Sequence, residues 1–177
     1  MLVYTVRRGL EAAPRFDDLT QLYALVYAEP PYCEGPEQVA RFREGLPQES
    51  VRPGFTLVCA DDDGLLVGAA YGWTMPAGRW WTRADRPPPS ELTAVDKLAV
   101  MEWMVHSGQR GRGVGAEVMR RLLDGRPERW ATLASNPDSA ARGMYGRAGW
   151  VQVGASRLPW GPRMDLLALR LDRTVEE

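Results

Sequence analysis

The chain has 177 residues, the usual size of one domain and long enough to bury a core without disulfide or metal staples. Its 22 Lys and Arg nearly balance 23 Asp and Glu, so the formal charge of −1 offers no overall field for nucleic acid or an anionic membrane, and any basic site must be local. No apolar run approaches the ~20 residues that span a bilayer, and Met1–Arg8 lacks the order of a signal peptide, so the expectation is a cytoplasmic protein. One histidine, His106, and two cysteines, Cys33 and Cys59, leave no His/Cys cluster for a metal.

In chain order, Leu2–Val6 reads as a strand. Leu19, Leu22, Tyr23, Val26 and Tyr27 then recur at helical spacing, with Asp18 and Gln21 resembling a capping box at the helix start. Pro30 and Pro31 must end that helix, and a short helix near Glu37–Glu44 follows. Phe55–Ala60 and Leu65–Trp73, separated by Asp61-Asp62-Asp63-Gly64, read as an antiparallel hairpin. From about residue 75 to 97 runs an irregular insert carrying Trp80, Trp81 and three consecutive prolines. Leu98–Val105 is an apolar strand broken only by Glu102, and a helix to about Asp124 lies beyond a glycine-rich loop. Trp130–Ala134 is a strand, Ser139–Arg147 a short helix, and Val151–Val153 and Met164–Leu171 the last strands. Helices inserted among strands without a repeat make one α/β or α+β domain over 1–177.

The loop carries the chemistry. Arg110-Gly111-Arg112-Gly113-Val114-Gly115 lies between a strand and an amphipathic helix, whose first turn has unpaired N–H groups and the positive end of a macrodipole. Glycines there remove side chains that would hold an anion off the backbone, and two arginines add charge. The spacing is neither the dinucleotide Gly-x-Gly-x-x-Gly nor a P-loop, which would need Gly-Lys-Ser/Thr. Short Gly/Arg segments also cap ordinary core helices, so the residues alone leave both readings open.

These residues resemble the central motif of the GNAT superfamily of N-acetyltransferases, Gln/Arg-x-x-Gly-x-Gly/Ala, with Val105 ending the strand before it. Tyr145, Gly149 and Trp150 fit a further feature of that family, whereas Gly143 and Gly146 are poor helix formers and depart from its pattern. The resemblance implies a mixed, mostly antiparallel sheet splayed in a V and flanked by helices. It also implies acetyl-CoA as cosubstrate, without a metal, and direct transfer of acetyl to a primary amine of a small molecule or peptide.

Carried over residue by residue, the resemblance gives Met104, Val105, Arg110, Gly111, Arg112, Gly113, Val114, Gly115 and Ala116 as cofactor-binding, with Asn136 a further contact. Glu102 is the candidate general base, since a lone carboxylate in an apolar strand has a raised pKa when buried, though it could instead face solvent or an arginine. Tyr145 is the candidate general acid, and its ring could equally pack the short helix onto the sheet. Tyr27, Tyr32, Trp73, Trp80 and Trp81 would either wall a pocket for the acceptor or merely cover core. The adjacent tryptophans are expected to bury against this domain, against a ligand as a substrate lid, or against a second subunit in a homodimer. A second class of function uses the same loop without turnover, as an acyl-CoA sensor.

Overall fold

The computed structural model describes residues 1–157 and 161–172. In chain order the elements are β1 (Leu2–Arg8), a 3-10 helix (Gly9–Arg15), α1 (Phe16–Tyr27), α2 (Pro36–Ser50), β2 (Thr56–Asp62), β3 (Leu65–Met75), α3 (Ser90–Thr93), β4 (Lys97–Val105), a 3-10 turn (Ser107–Gln109), α4 (Val114–Leu123), β5 (Trp130–Ser135), α5 (Ala140–Arg147), β6 (Val151–Arg157) and β7 (Arg163–Arg170). The seven strands form the mixed, mostly antiparallel sheet that the resemblance implies. The chain divides into two compact units, Met1–Trp73 with Val100–Asp124 and Thr74–Ala99 with the chain from Gly125 onward.

In the first unit the strands run β1-β2-β3-β4. The β2–β3 hairpin turns on Asp63 and Gly64 at φ of 49° and 85°, the two positive values that match the twist of paired strands. The register shifts between Ala60, opposite Gly68, and Asp61, opposite Leu66, so Val67 has no partner on β2. Its carbonyl instead accepts the amide of His106 at 2.8 Å, just beyond β4.

Alternation along β2 sorts the layers. Leu57 and Cys59 point into a core with Leu19, Leu22, Tyr23 and Val26 of α1, joined by Ala69, Tyr71 and Met104. The opposite face of the hairpin meets α4, for a Cβ on Gly68 would lie 2.8 Å from Val114 Cγ1 and 3.5 Å from Ala60 Cβ.

The helices differ from expectation in three places. The 3-10 helix from Gly9, at φ 53°, runs directly into α1, whose N-cap is Arg15, so the Asp18–Gln21 capping box does not form. Asp18 lies inside the first turn and accepts from Arg15 Nε at 2.9 Å, while Arg15 also grips Asp61 at 2.6 and 3.1 Å. Helix α2 runs beyond residue 44 through Pro47 to Ser50. Pro36 fills its first turn, where no amide donor is needed, and the Ser50 hydroxyl donates to the Pro47 carbonyl at 2.9 Å.

In the second unit the order is β4-β5-β7-β6, with β4 and β5 parallel through Leu98 and Ala99 and the other pairings antiparallel. The insert is tied to this unit. Trp81 Nε1 donates to Thr132 Oγ1 at 3.0 Å, and Asp85 exchanges backbone and side-chain bonds of 2.8 and 2.9 Å with Ala155. Buried Lys97 donates to the carbonyl oxygens of Val95 and Pro76 at 3.2 and 3.4 Å. Among the described residues no helix is long and apolar enough to cross a membrane.

Candidate active site

Beyond β4 the chain must change direction to start α4, and it does so through glycines. Gly111 and Gly113 have φ of 73° and 82°, backbone that favours glycine, and a Cβ at either would meet no atom within 4 Å. Conformation, not crowding, selects glycine at both. Gly113 is the N-cap of α4 and has no side chain to cap it, so the first-turn amides of Val114, Gly115 and Ala116 keep their capacity for an external anion. Val114, Val118, Met119 and Leu122 bury the other side of the helix and fix where those amides point.

Gly115 serves a different purpose. A Cβ there would lie 3.1 Å from Trp103 Cζ2 and 3.2 Å from Val105 Cγ2, and Trp103 Nε1 donates to the Gly115 carbonyl at 2.9 Å. This glycine lets α4 press against β4. The arginines flank the amides already engaged: Arg110 bridges to Glu29 and donates through Nε to the Val105 carbonyl at 3.1 Å. Arg112 donates to Gln109, which in turn donates to Asp62, each at 3.0 Å. His106 Nδ1 accepts the Gly108 amide at 3.1 Å and so shapes the turn before the loop.

Glu102 neither faces an arginine nor projects freely into water. It is half-buried on β4, and Tyr27 at the end of α1 donates its hydroxyl to Oε2 at 2.5 Å. Burial pushes the carboxyl up to about 8, with Glu34 and Glu49 adding repulsion and the Tyr27 bond opposing both. Glu34 accepts from Tyr23 at 2.5 Å, and Glu49 accepts from Trp73 Nε1. Tyr27 and Trp73 stood out in the sequence as aromatics. Glu34 and Glu49 carried no signal there, because nothing local in a loop or on a polar helix shows which carboxylate meets a ring.

Two more of the expected residues belong to the second unit. Asn136 is buried at the end of β5, but its Oδ1 accepts the Asp138 amide at 2.9 Å and its carbonyl accepts the Ser139 hydroxyl at 2.8 Å, so it builds the turn into α5. Tyr145 is buried and meets Trp150 edge-on with centroids 5.7 Å apart. In the same unit Asp165 accepts from Arg142 and Gln152 at 2.9 and 3.1 Å, a polar tie between α5 and β7 that no sequence pattern announced.

The sequence pattern described as the acetyltransferase (GNAT) family matches residues 19–150, well over half of the chain. The chain belongs to the GNAT acetyltransferase family. The match takes in Glu102, the whole glycine loop, Asn136 and Tyr145, and leaves out β1 and the final strand pair. No curated protein matches it.

Solved structures share the fold along nearly their full length. A protein from Pyrococcus horikoshii OT3 is 18% identical, with 96% of this chain and 98% of that one covered and a TM-score of 0.69. The PaiA N-acetyltransferase from Thermoplasma acidophilum, solved in complex with coenzyme A, is 12% identical over 95% and 99% of the two chains, with a TM-score of 0.63. Arylalkylamine N-acetyltransferase 2 from Aedes aegypti is 9% identical over 97% and 99%, with a TM-score of 0.66.

Proposed function

We propose that this chain is an acetyl-CoA-dependent N-acetyltransferase that acts directly on a primary amine of a small molecule or peptide. The observation that carries this reading is Glu102, a half-buried carboxylate with a raised pKa, held by Tyr27 and free of any ion pair among the described residues. A general base works best when its pKa lies near the operating pH, which is where burial brings this carboxyl.

Acetyl-CoA fits the loop on the backbone features described above: left-handed Gly111 and Gly113 and an uncapped helix start. The amides of Val114, Gly115 and Ala116 would hold its pyrophosphate, with Arg110 and Arg112 beside it and the backbone of Met104 and Val105 along its arm. Bound there, it supplies a thioester carbonyl as electrophile. Glu102 takes a proton from the acceptor ammonium, the neutral amine forms the new C–N bond, and the C–S bond breaks. A second proton leaves the nitrogen as it becomes an amide and offsets the one that the leaving thiolate takes up, a donation that the family resemblance assigns to Tyr145.

A thiol-release screen of primary amines with acetyl-CoA tests the proposal. Amine-dependent release that is lost in Glu102→Gln is expected. CoA binding without release from any amine would leave an acyl-CoA sensor instead.

A further inference from the structure

The first unit holds more acid than one proton transfer requires. Three carboxylates, Glu34, Glu49 and Glu102, lie among aromatic rings of α1, α2 and β3, and each accepts a hydrogen bond from one of them: Tyr23, Trp73 and Tyr27 respectively. The rings form a continuous wall. Tyr23 and Phe42 stack with centroids 4.0 Å apart, Tyr23 and Tyr27 lie 4.4 Å apart, and Tyr27 meets Tyr32 edge-on at 4.7 Å. Glu34 and Glu49 both act on Glu102, so the three share one neighbourhood.

What this neighbourhood lacks is positive charge. Glu49 has Arg52 at 3.8 Å, but that guanidinium also lies over the Trp73 ring at 4.4 Å. Glu34 and Glu102 form no ion pair among the described residues, and phenol donors supply hydrogen bonds without cancelling charge. Half-buried carboxylates of like sign repel one another until one takes up a proton, as Glu102 does, or a cation joins them.

An independent feature points into the same place. Tyr71 of β3 is only 3% exposed, and its hydroxyl has no hydrogen-bond partner among the described residues. It is not sealed in either, for the fully enclosed unpaired side-chain atoms among those residues are Thr5 Oγ1 and Arg7 Nε. The charges of Glu102 and Glu49 bear on it, and so does Tyr23. A buried hydroxyl without a partner among those residues, on a ring whose centroid lies 6.5 Å from that of Phe42, leaves an acceptor for a visiting donor.

We propose that the acceptor is a small amine carrying a second, non-reacting ammonium group, and that Glu34, oriented by the Tyr23 hydroxyl, holds that group while the reacting amine lies at Glu102. This rests on the reading of Glu102 as the base that takes the reacting proton. The charge count then decides between one ammonium and two. The amine at Glu102 gives up its proton to react and no longer offsets Glu34, whereas a second ammonium keeps its charge throughout.

The experiment compares an α,ω-alkyldiamine with the n-alkylamine of the same carbon number. Thiol release gives kcat/KM for each, and calorimetry in the presence of CoA gives the affinity of each. The diamine is expected to lead by about tenfold or more in both, as one additional charge-assisted contact would give. Glu34→Gln is expected to collapse that lead through KM, and Glu34→Asp to restore part of it, in proteins whose melting and CoA affinity match the parent. Equal rates and affinities for the two amines, or a lead that survives Glu34→Gln, overturn the proposal. A diamine that binds through Glu34 and is never acetylated supports this seat and overturns the transferase reading, so the two failures are distinct.

Discussion

The Arg110 guanidinium forks onto Glu29, with Nη1 2.7 Å from Oε2 and Nη2 3.2 Å from Oε1, tying the first arginine of the glycine loop to the segment between α1 and α2. Both partners are partly exposed, and the arginine holds the Glu29 carboxyl below its usual range. Such pairs are worth about 0–1 kcal/mol.

Arg110 is therefore weakly committed and must leave Glu29 to reach a phosphate. Glu29→Gln should tighten CoA binding, by up to about fivefold, because freeing the guanidinium removes at most the worth of that pair. Arg110→Ala should weaken binding by a similar factor, the backbone amides remaining. Titration calorimetry of CoA against both variants checks this, and weaker binding in Glu29→Gln would show that the pair supports the loop.

Glu102 gives a pH prediction with a definite sign. As a base it must be ionised, so kcat/KM should rise with pH to a plateau, with an inflection near the value of about 8 to which burial brings it. Its effect on stability runs the opposite way. The folded-state pKa lies above the ordinary 4.5, so the folded protein binds the proton more tightly, and that stabilisation is full below about pH 4.5 and lost as pH rises through about 8. Glu102→Gln should lose roughly 10²–10⁴ in turnover, yet gain in melting temperature relative to the parent at pH 9. A parent profile flat from pH 6 to 9, checked with an amine whose own pKa lies outside that range, would remove Glu102 from the proton path.

Gly68 controls how closely β3 approaches the start of α4. Gly68→Ala would place a methyl 2.8 Å from Val114 Cγ1, at a branched side chain that is itself fully buried. Overpacking of this kind costs about 1–3 kcal/mol. Adding Val114→Ala removes the clashing methyl, so the double variant should be more stable than the sum of the single effects predicts. Chemical denaturation of the four proteins measures the coupling, and strict additivity would mean that the strand, not the valine, yields.

The glycine loop and α4 were legible because their signals are local: left-handed glycines at a strand end, then a buried stripe from Val114 to Leu122. Gly115 shows the limit of such reading, since its place in the motif suggests ligand approach while its neighbours are Trp103 and Val105. The Tyr27–Glu102 bond joins residues 75 apart in the chain, and only the folded layers set it. Helix α2 reached past expectation because its polar sequence, with Pro47 inside, has little periodicity to betray its end. The capping box failed because Arg15, one turn earlier, claimed Asp18 for an ion pair.

The last prediction separates conformation from occupancy at Gly113. Gly113→Ala keeps the site open, since its Cβ meets nothing within 4 Å, but forces alanine to φ 82° at a loss of about 1–2 kcal/mol. Stability should fall by that amount, and CoA affinity by no more than the loop's tilt requires. Gly113→Glu carries the same backbone penalty and adds a carboxylate at the helix start, where the macrodipole favours an anion. That side chain would compete with the pyrophosphate from within, so CoA binding should disappear although the two variants melt alike. Calorimetry with CoA alongside thermal denaturation distinguishes the outcomes, and a folded Gly113→Glu protein that binds CoA like the parent would move the phosphate site away from this loop.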